Sequence, residues 1–308
     1  MNINTIKRKF HTLKSDRRIF FKKLVGSPLY KYLPDKYALK IVFKNVFGYS
    51  LNLKNPQTFN EKLQWLKLYN RNPFYTRLVD KIEVKNIVSE AIGGEYVIPT
   101  LGIYDRFDDI DLGVLPERFV IKTNHGGGNT GVVICTDKSI FDFDGAKKKI
   151  EKSLATDTYI IGREWPYKNV KRHILIEQLL VPSNGELDLV DYKFFCFNGV
   201  VHFFKIDFNR KTNHQANYYD LDWNLLDVGE CVCPPDKNHI EYKPLNFERM
   251  VEIASAISKD IPFVRVDLYN IDGQIFFGEA TFFPASGFGL FVSQVQDIKL
   301  GSFLSITK

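Results

Sequence analysis

Residues 263–281 read FVRVDLYNIDGQIFFGEAT, two β-prone runs on either side of Asp272-Gly273. Side chains alternate along a strand, so Arg265 shares a face with Asp267, and Glu279 shares a face with Thr281. Loop length decides whether the two faces coincide. A two-residue Asp272-Gly273 loop pairs Asp267 with Gly278 and turns Glu279 to the opposite side. A three-residue Ile271-Asp272-Gly273 loop pairs Arg265 with Glu279 and keeps Asp267 diagonal on the same side. Glycine in third place suits that loop, which is the expectation here. Two carboxylates on one face would offer hard oxygen ligands to Mg²⁺ on nucleotide phosphates. The plainer reading is a cross-strand Arg–carboxylate pair.

A second constellation lies upstream. Phe119-Val120-Ile121-Lys122 reads as a strand, followed by Gly126-Gly127-Gly128 and a further strand, Val132-Val133-Ile134. Glycines let backbone N–H groups approach phosphate oxygens, and a lysine adds a point charge. No Gly-Lys-Ser/Thr opens a helix here, so this is not a P-loop. A flexible hairpin with an exposed lysine is the bland alternative.

Elsewhere the chain alternates helices and hairpins. Thr58 and Glu61 form a capping-box signature ahead of Leu63, Leu66 and Tyr69. A second helix is expected from about Thr76 to Ala91, stopped by Gly93-Gly94. Further helices are expected around Phe143–Ala155 and Glu248–Lys259. Ile174-Leu175-Ile176 reads as a strand, and Asn198-Gly199 joins two more, Phe194–Phe197 and Val200–Phe204. This order implies an α+β protein with antiparallel sheets.

The 308 residues, 44% hydrophobic, with 26 Phe and 15 Tyr, can bury a large core and exclude a disordered chain. No apolar run approaches the roughly 20 residues of a membrane-spanning helix. The net charge of +6 is unevenly placed. Residues 1–25 carry eight Lys and Arg against Asp16 alone, so the remaining chain is close to neutral, which argues against a nucleic-acid partner. Ile3, Ile6, Phe10 and Leu13 recur at helical spacing among those cations. Such a helix can lie on an anionic membrane surface or simply pack on the body. Cys135 and Cys196 sit in apolar runs and read as buried thiols; Cys231 and Cys233 lack a second pair at zinc spacing and read as reduced. With no secretory signal, a cytoplasmic protein is expected, with peripheral contact at the inner face of the membrane.

Together these stretches resemble the ATP-grasp superfamily, and more closely its TupA-like branch, associated with teichuronopeptide and other surface-polysaccharide biosynthesis. The resemblance runs from about Leu33 to the C-terminus. It is carried by residues 55–65 (NPQTFNEKLQW), Asp80-Lys81, 119–126 (FVIKTNHG), 162–168 (GREWPYK), 191–199 (DYKFFCFNG) and 263–269 (FVRVDLY). It implies an α+β ATP-grasp fold, two lobes with antiparallel sheets clamping ATP. The expected organisation is a basic segment (1–30), a mainly helical region (31–115), a small lobe with the glycine-rich hairpin (116–180) and a C-terminal lobe with metal-binding strands (181–308).

The resemblance also implies roles. Lys81, Lys122 and Gly126, Gly127 and Gly128 would contact the nucleotide, with Glu177 as the hinge acid at adenine or ribose. Asp267, Glu279 and Thr281 would hold Mg²⁺ (or Mn²⁺); many relatives carry Asn at the position of Thr281. Arg265 would stabilise the transferring phosphoryl group, and Lys193 is placed to reach the phosphates. The resemblance leaves the acceptor site open. Candidates are Arg163, Trp165 and Lys168, with Arg210, Asn213 and His214, whose basic groups suit a carboxylate. Trp165 could stack on a sugar or pack in the core, and His214 could be a base or a surface histidine.

The implied activity is an ATP-dependent carboxylate–amine ligase, joining an amino acid or other amine to a uronic acid of a capsule, O-antigen or teichuronopeptide precursor, free, nucleotide-linked or lipid-linked. The rivals are a glycosyltransferase, for which Asp220-Leu221-Asp222 has the metal-motif spacing, and a non-catalytic nucleotide- or glycan-binding module.

Overall fold

The computed structural model describes residues 27, 29–128, 130–185, 189–210 and 212–306. The expected basic N-terminal helix lies outside these residues. The helices are α1 (Asp35–Phe47), α2 (Phe59–Tyr69), α3 (Phe74–Val79), α4 (Glu83–Ile92), α5 (Phe143–Ala155), α6 (Thr158–Gly162), α7 (Phe247–Ile257) and α8 (Gln294–Ser302). The strands are β1 (Thr100–Tyr104), β2 (Phe119–Thr123), β3 (Val132–Cys135), β4 (Ile174–Gln178), β5 (Asp191–Phe197), β6 (Val200–Phe208), β7 (Gln215–Tyr219), β8 (Phe263–Ile271) and β9 (Gln274–Thr281).

Two antiparallel sheets result, in the orders β1-β4-β2-β3 and β7-β6-β5-β8-β9. The smaller sheet packs Phe119, Ile121, Ile174 and Ile176 on Ala146 and Ile150 of α5. Its edge strand β1 comes from a stretch that reads as mainly helical. In the larger sheet, Phe194, Phe204 and Val266 join a cluster with Phe247, Met250 and Ala254 of α7. The opposite face divides in two. At one end Phe195, Phe197 and Phe263 pack on Phe59 of α2. At the other end the same alternation presents Asp191, Lys193, Arg265 and Asp267.

The capping box forms as expected: Thr58 Oγ1 accepts from the Glu61 N–H, and Glu61 accepts from the Thr58 N–H. Asn198 (φ 51°) and Gly199 (φ 78°) make the expected two-residue turn. The helix expected over 76–91 is instead two, α3 and α4, broken at Asp80-Lys81-Ile82. Asp80 adopts extended backbone (ψ 113°) and its carboxylate accepts from the Ile82 N–H and the Asn124 amide. The Lys81 N–H donates to Asn124 O at 3.0 Å. These tertiary hydrogen bonds override a continuous helical period. Of the cysteines, Cys135, Cys196 and Cys233 are buried, Cys231 is exposed, and all are free. No helix among the described residues is long and apolar enough to cross a membrane.

Candidate functional site

The β8–β9 hairpin corrects one expectation and keeps its consequence. The loop is the two-residue Asp272-Gly273, both at positive φ, because Ile271 pairs with Gln274. A bulge between Asp267 and Leu268 in the register then leaves Gly278 unpaired and resets the ladder. Asp267 consequently faces Glu279, and Arg265 faces Thr281. Arg265 donates to both oxygens of Asp267 at 2.6 Å, to Glu279 at 3.4 Å and to Thr281 Oγ1 at 3.1 Å.

The row continues across the sheet. Lys193 pairs in register with Asp267 on one side and Lys205 on the other. Its ammonium meets Asp191, lies 3.3 Å from Asp207 and 3.6 Å from Asp267. Burial drives Asp267 up to about 6, against the pull of Arg265 and Lys193. Burial also works to raise Glu279, but Lys81 and Arg265 outweigh it and hold the group below its ordinary value. Burial opposes the Arg265 charge, and Asp267 and Glu279 more than restore it.

Above this row lies a cleft of about 640 Å³, lined by Gly126, Gly127, Gly128, Arg265, Glu279 and Thr281 among others. Gly126 (φ 84°) and Gly128 (φ 68°) occupy left-handed backbone that a side chain would strain. Lys81 crosses from the helix break to donate to Gly126 O. Lys122 and Lys85 both pair with Glu177, Lys85 at 2.6 Å. Burial pushes Glu177 up, yet the two lysines win and lower it. Lys81, Lys85, Lys122 and Glu177 line a neighbouring cavity of about 10 Å³ with Phe277 and Gly278. That is room for about one water, so a purine there requires the sheets to part. The sequence reading missed Lys85; its signal was a position one helical turn beyond Lys81.

The donor types suit a hard divalent cation, since two carboxylates and a hydroxyl share one face; as the side chains stand, Arg265 and Lys193 supply the positive charge beside Asp267, so a bound cation would have to displace the guanidinium.

The acceptor candidates scatter. Arg163 is 2% exposed and spends its guanidinium on Tyr30 O and on Asp35 at 3.3 Å. Trp165 is buried against Tyr75, with ring centroids 5.9 Å apart. Both side chains are taken up by these contacts. Lys168 is exposed and lies over the Tyr159 ring. Arg210 pairs with Asp191 at 2.7 Å, His214 bonds Asp207 at 3.0 Å, and Asn213 is exposed beside them. None of these lines the 640 Å³ cleft. Asp207, His214 and Cys233 bring an oxygen, a nitrogen and a sulfur within 4.8 Å. The Lys205 ammonium already lies 3.4 Å from Asp207 and 3.0 Å from Glu230, so that position is cationic without a metal. Asp220 of the Asp-x-Asp motif caps the Asn224 N–H at 2.8 Å and serves a turn.

Residues 61–305 match the family described as TupA-like ATPgrasp. The chain belongs to the TupA-like ATP-grasp family. No curated protein matches it. Among solved structures it is similar to D-alanine–D-alanine ligase from Bacillus anthracis, at 19% identity over 67% of this chain and 57% of that one, TM-score 0.37. It is similar to L-amino acid ligase from Bacillus licheniformis, at 15% identity over 84% and 57%, TM-score 0.44. It is also similar to D-alanine–D-alanine ligase from Helicobacter pylori, at 14% identity over 80% and 69%, TM-score 0.43. The chain thus spans little more than half the length of the first two of these enzymes.

Proposed function

We propose that this chain is an ATP-dependent carboxylate–amine ligase acting on a uronic acid of a bacterial surface-polysaccharide precursor. The observation that carries the reading is Asp267 facing Glu279 across β8 and β9, with Arg265 between them, beneath a glycine-rich turn.

In this reading Gly126–Gly128, Lys81 and Lys122 bind the triphosphate, and Glu177 turns from its lysines to the nucleoside. Asp267, Glu279 and Thr281 hold Mg²⁺ or Mn²⁺, which when bound would neutralise phosphate charge. A substrate carboxylate oxygen attacks the γ-phosphorus, and ADP leaves with the bridging oxygen. Arg265 and Lys193 stabilise the charge spread over the transferring group; catalysis at this step is mostly positioning and electrostatics. An amine then attacks the acyl carbon and phosphate departs. The glycine-rich turn, closing over the cleft, keeps water from the acyl phosphate. Residues 1–25 would bring the enzyme to anionic membrane and a lipid-linked glycan; their deletion should reduce binding to anionic vesicles, and unchanged binding would remove that part.

The test is a screen of glucuronate, galacturonate and mannuronate against amino acids and ammonia, reading ADP release and product mass. ADP release that requires both a carboxylate and an amine supports the reading; transfer from a nucleotide sugar without ATP would replace it with a glycosyltransferase.

A further inference from the structure

We propose that Glu164, held by Ser286, is the group that binds the amine substrate and takes its first proton. This inference rests on the carboxylate–amine ligase reading above.

In the sequence run Gly162-Arg163-Glu164-Trp165, Arg163 and Trp165 are buried in packing, whereas Glu164 opens onto the cleft. It is the one acid besides Glu279 among the described residues lining that cleft. With Glu279 committed to the cation site, Glu164 is the anion left to meet an ammonium. Arg265 and the α5 residues Lys149 and Lys152 line the same cleft and suit the carboxylate partner. The cleft therefore has one cationic wall and one separate carboxylate, as a site for an acid and an amine requires.

The local construction is also unusual. Ser286 Oγ donates to Glu164 at 2.5 Å, across 122 residues of chain. Ser286 (φ 53°) and Ala285 (φ 49°) are both left-handed without being glycine, a strain of order 1–2 kcal/mol each that clusters at ligand sites. A fully buried Lys67 sustains it, donating to Ser286 O and to Gly162 O, each at 2.7 Å; burial lowers its amine to about 7 although Glu164 and Asp35 pull it up. Gln64 adds a bond to Gly287 O at 2.6 Å. One lysine thus ties together the two segments that carry Glu164 and Ser286. Burial raises Glu164, against the pull of Lys67 and the Ser286 hydrogen bond, while Glu279 adds to the rise; that moves it toward the range of a working base. Its ionisable neighbours are Lys67, Tyr167 and Glu279, with Arg265 beyond them.

The step balances as follows. The ammonium gives one proton to the Glu164 carboxylate. The freed nitrogen lone pair forms the C–N bond at the acyl carbon. The bond between the acyl carbon and the oxygen that carries phosphorus breaks, its electrons leave with phosphate, and the second nitrogen proton goes out on that phosphate.

The test compares wild type, Glu164→Gln and Ser286→Ala in the uronate and amine screen, with hydroxylamine as a parallel nucleophile. Hydroxylamine is already unprotonated at neutral pH and needs no base. Glu164→Gln should keep ATP-dependent hydroxamate formation within about threefold while amine coupling falls about 100-fold at pH 7, a deficit that narrows as pH rises. Ser286→Ala should show the same split at about tenfold. Equal loss of both reactions in both folded variants, or loss of neither, overturns the assignment. Wild type that forms hydroxamate but couples no amine removes the amine site, and wild type that forms neither removes the ligase reading itself.

Discussion

Asp267 and Glu279 stand opposite each other across β8 and β9 because Gly278 adds one residue to β9. Without that bulge the two-residue turn would send Glu279 to the α7 face. A Cβ on Gly278 would lie 3.1 Å from both Asp267 O and Tyr269 Cε2, so the bulge leaves little room for a side chain. Gly278→Val should weaken Mg²⁺-ATP binding about tenfold, equivalent to about 1.4 kcal/mol, with the circular dichroism spectrum retained. Gly273→Ala is the control. It sits in open space at φ 88°, so it should cost about 1 kcal/mol of stability and leave nucleotide affinity unchanged. Calorimetric titration of both variants decides the point; equal affinities would show that the bulge does not set the site.

Asp267→Asn keeps the shape and an acceptor for Arg265 but removes one of the two charges facing the proposed cation. Turnover should fall at least about 100-fold while ATP binding without divalent ion changes little. The size of the Mg²⁺ effect on ATP affinity is the discriminating measurement. If Mg²⁺ strengthens binding in the variant as much as in wild type, the ligands lie elsewhere.

Much of this arrangement was legible in the chain because it is local. Thr58 and Glu61 mark a helix start three residues apart, Asn198-Gly199 marks a hairpin, and period-two alternation puts Arg265 with Asp267 on one face. What failed was set at long range. The split between α3 and α4 depends on Asn124, more than forty positions away, reaching Asp80. The bulge at Gly278 is the exception: a lone glycine inside a strand marks it locally, and the loop-length argument did not weigh that mark. The inward turn of Arg163 answers to Tyr30 and Asp35, more than 120 positions earlier in the chain. Basic residues suggested carboxylate binding there, but charge alone does not say which partner a guanidinium meets.

Glu61 does more than cap α2. Its two oxygens accept from the N–H groups of Asn52 at 3.2 Å, Gln57 at 2.9 Å and Thr58 at 3.2 Å. Glu61→Ala leaves three backbone donors without that acceptor and should destabilise the protein by about 2–3 kcal/mol. Thr58→Ala removes one acceptor and should cost about 1 kcal/mol. Urea unfolding of the two variants gives the ratio; similar losses would mean Glu61 acts only as a cap.

Asp297 provides a stability test remote from the cleft. It is buried at the start of α8 and accepts from the backbone and side-chain N–H groups of Asn60, each at 3.0 Å. Burial, with Glu61 adding to it, pushes its carboxyl up to about 6 from 3.8, despite the hydrogen bonds from Asn60. Because the folded state then binds the proton more tightly than the unfolded chain, this group's contribution is most favourable below about pH 4. It declines as pH rises through about 6, a loss of about 3 kcal/mol that is complete above it. Asp297→Asn keeps one oxygen for the Asn60 backbone N–H and has no charge to lose. The difference in unfolding free energy between variant and wild type, measured by urea at intervals from pH 4 to pH 7, should therefore shift in the variant's favour as pH rises. A difference that stays flat across that interval would mean Asp297 ionises in the folded protein as readily as in the unfolded chain.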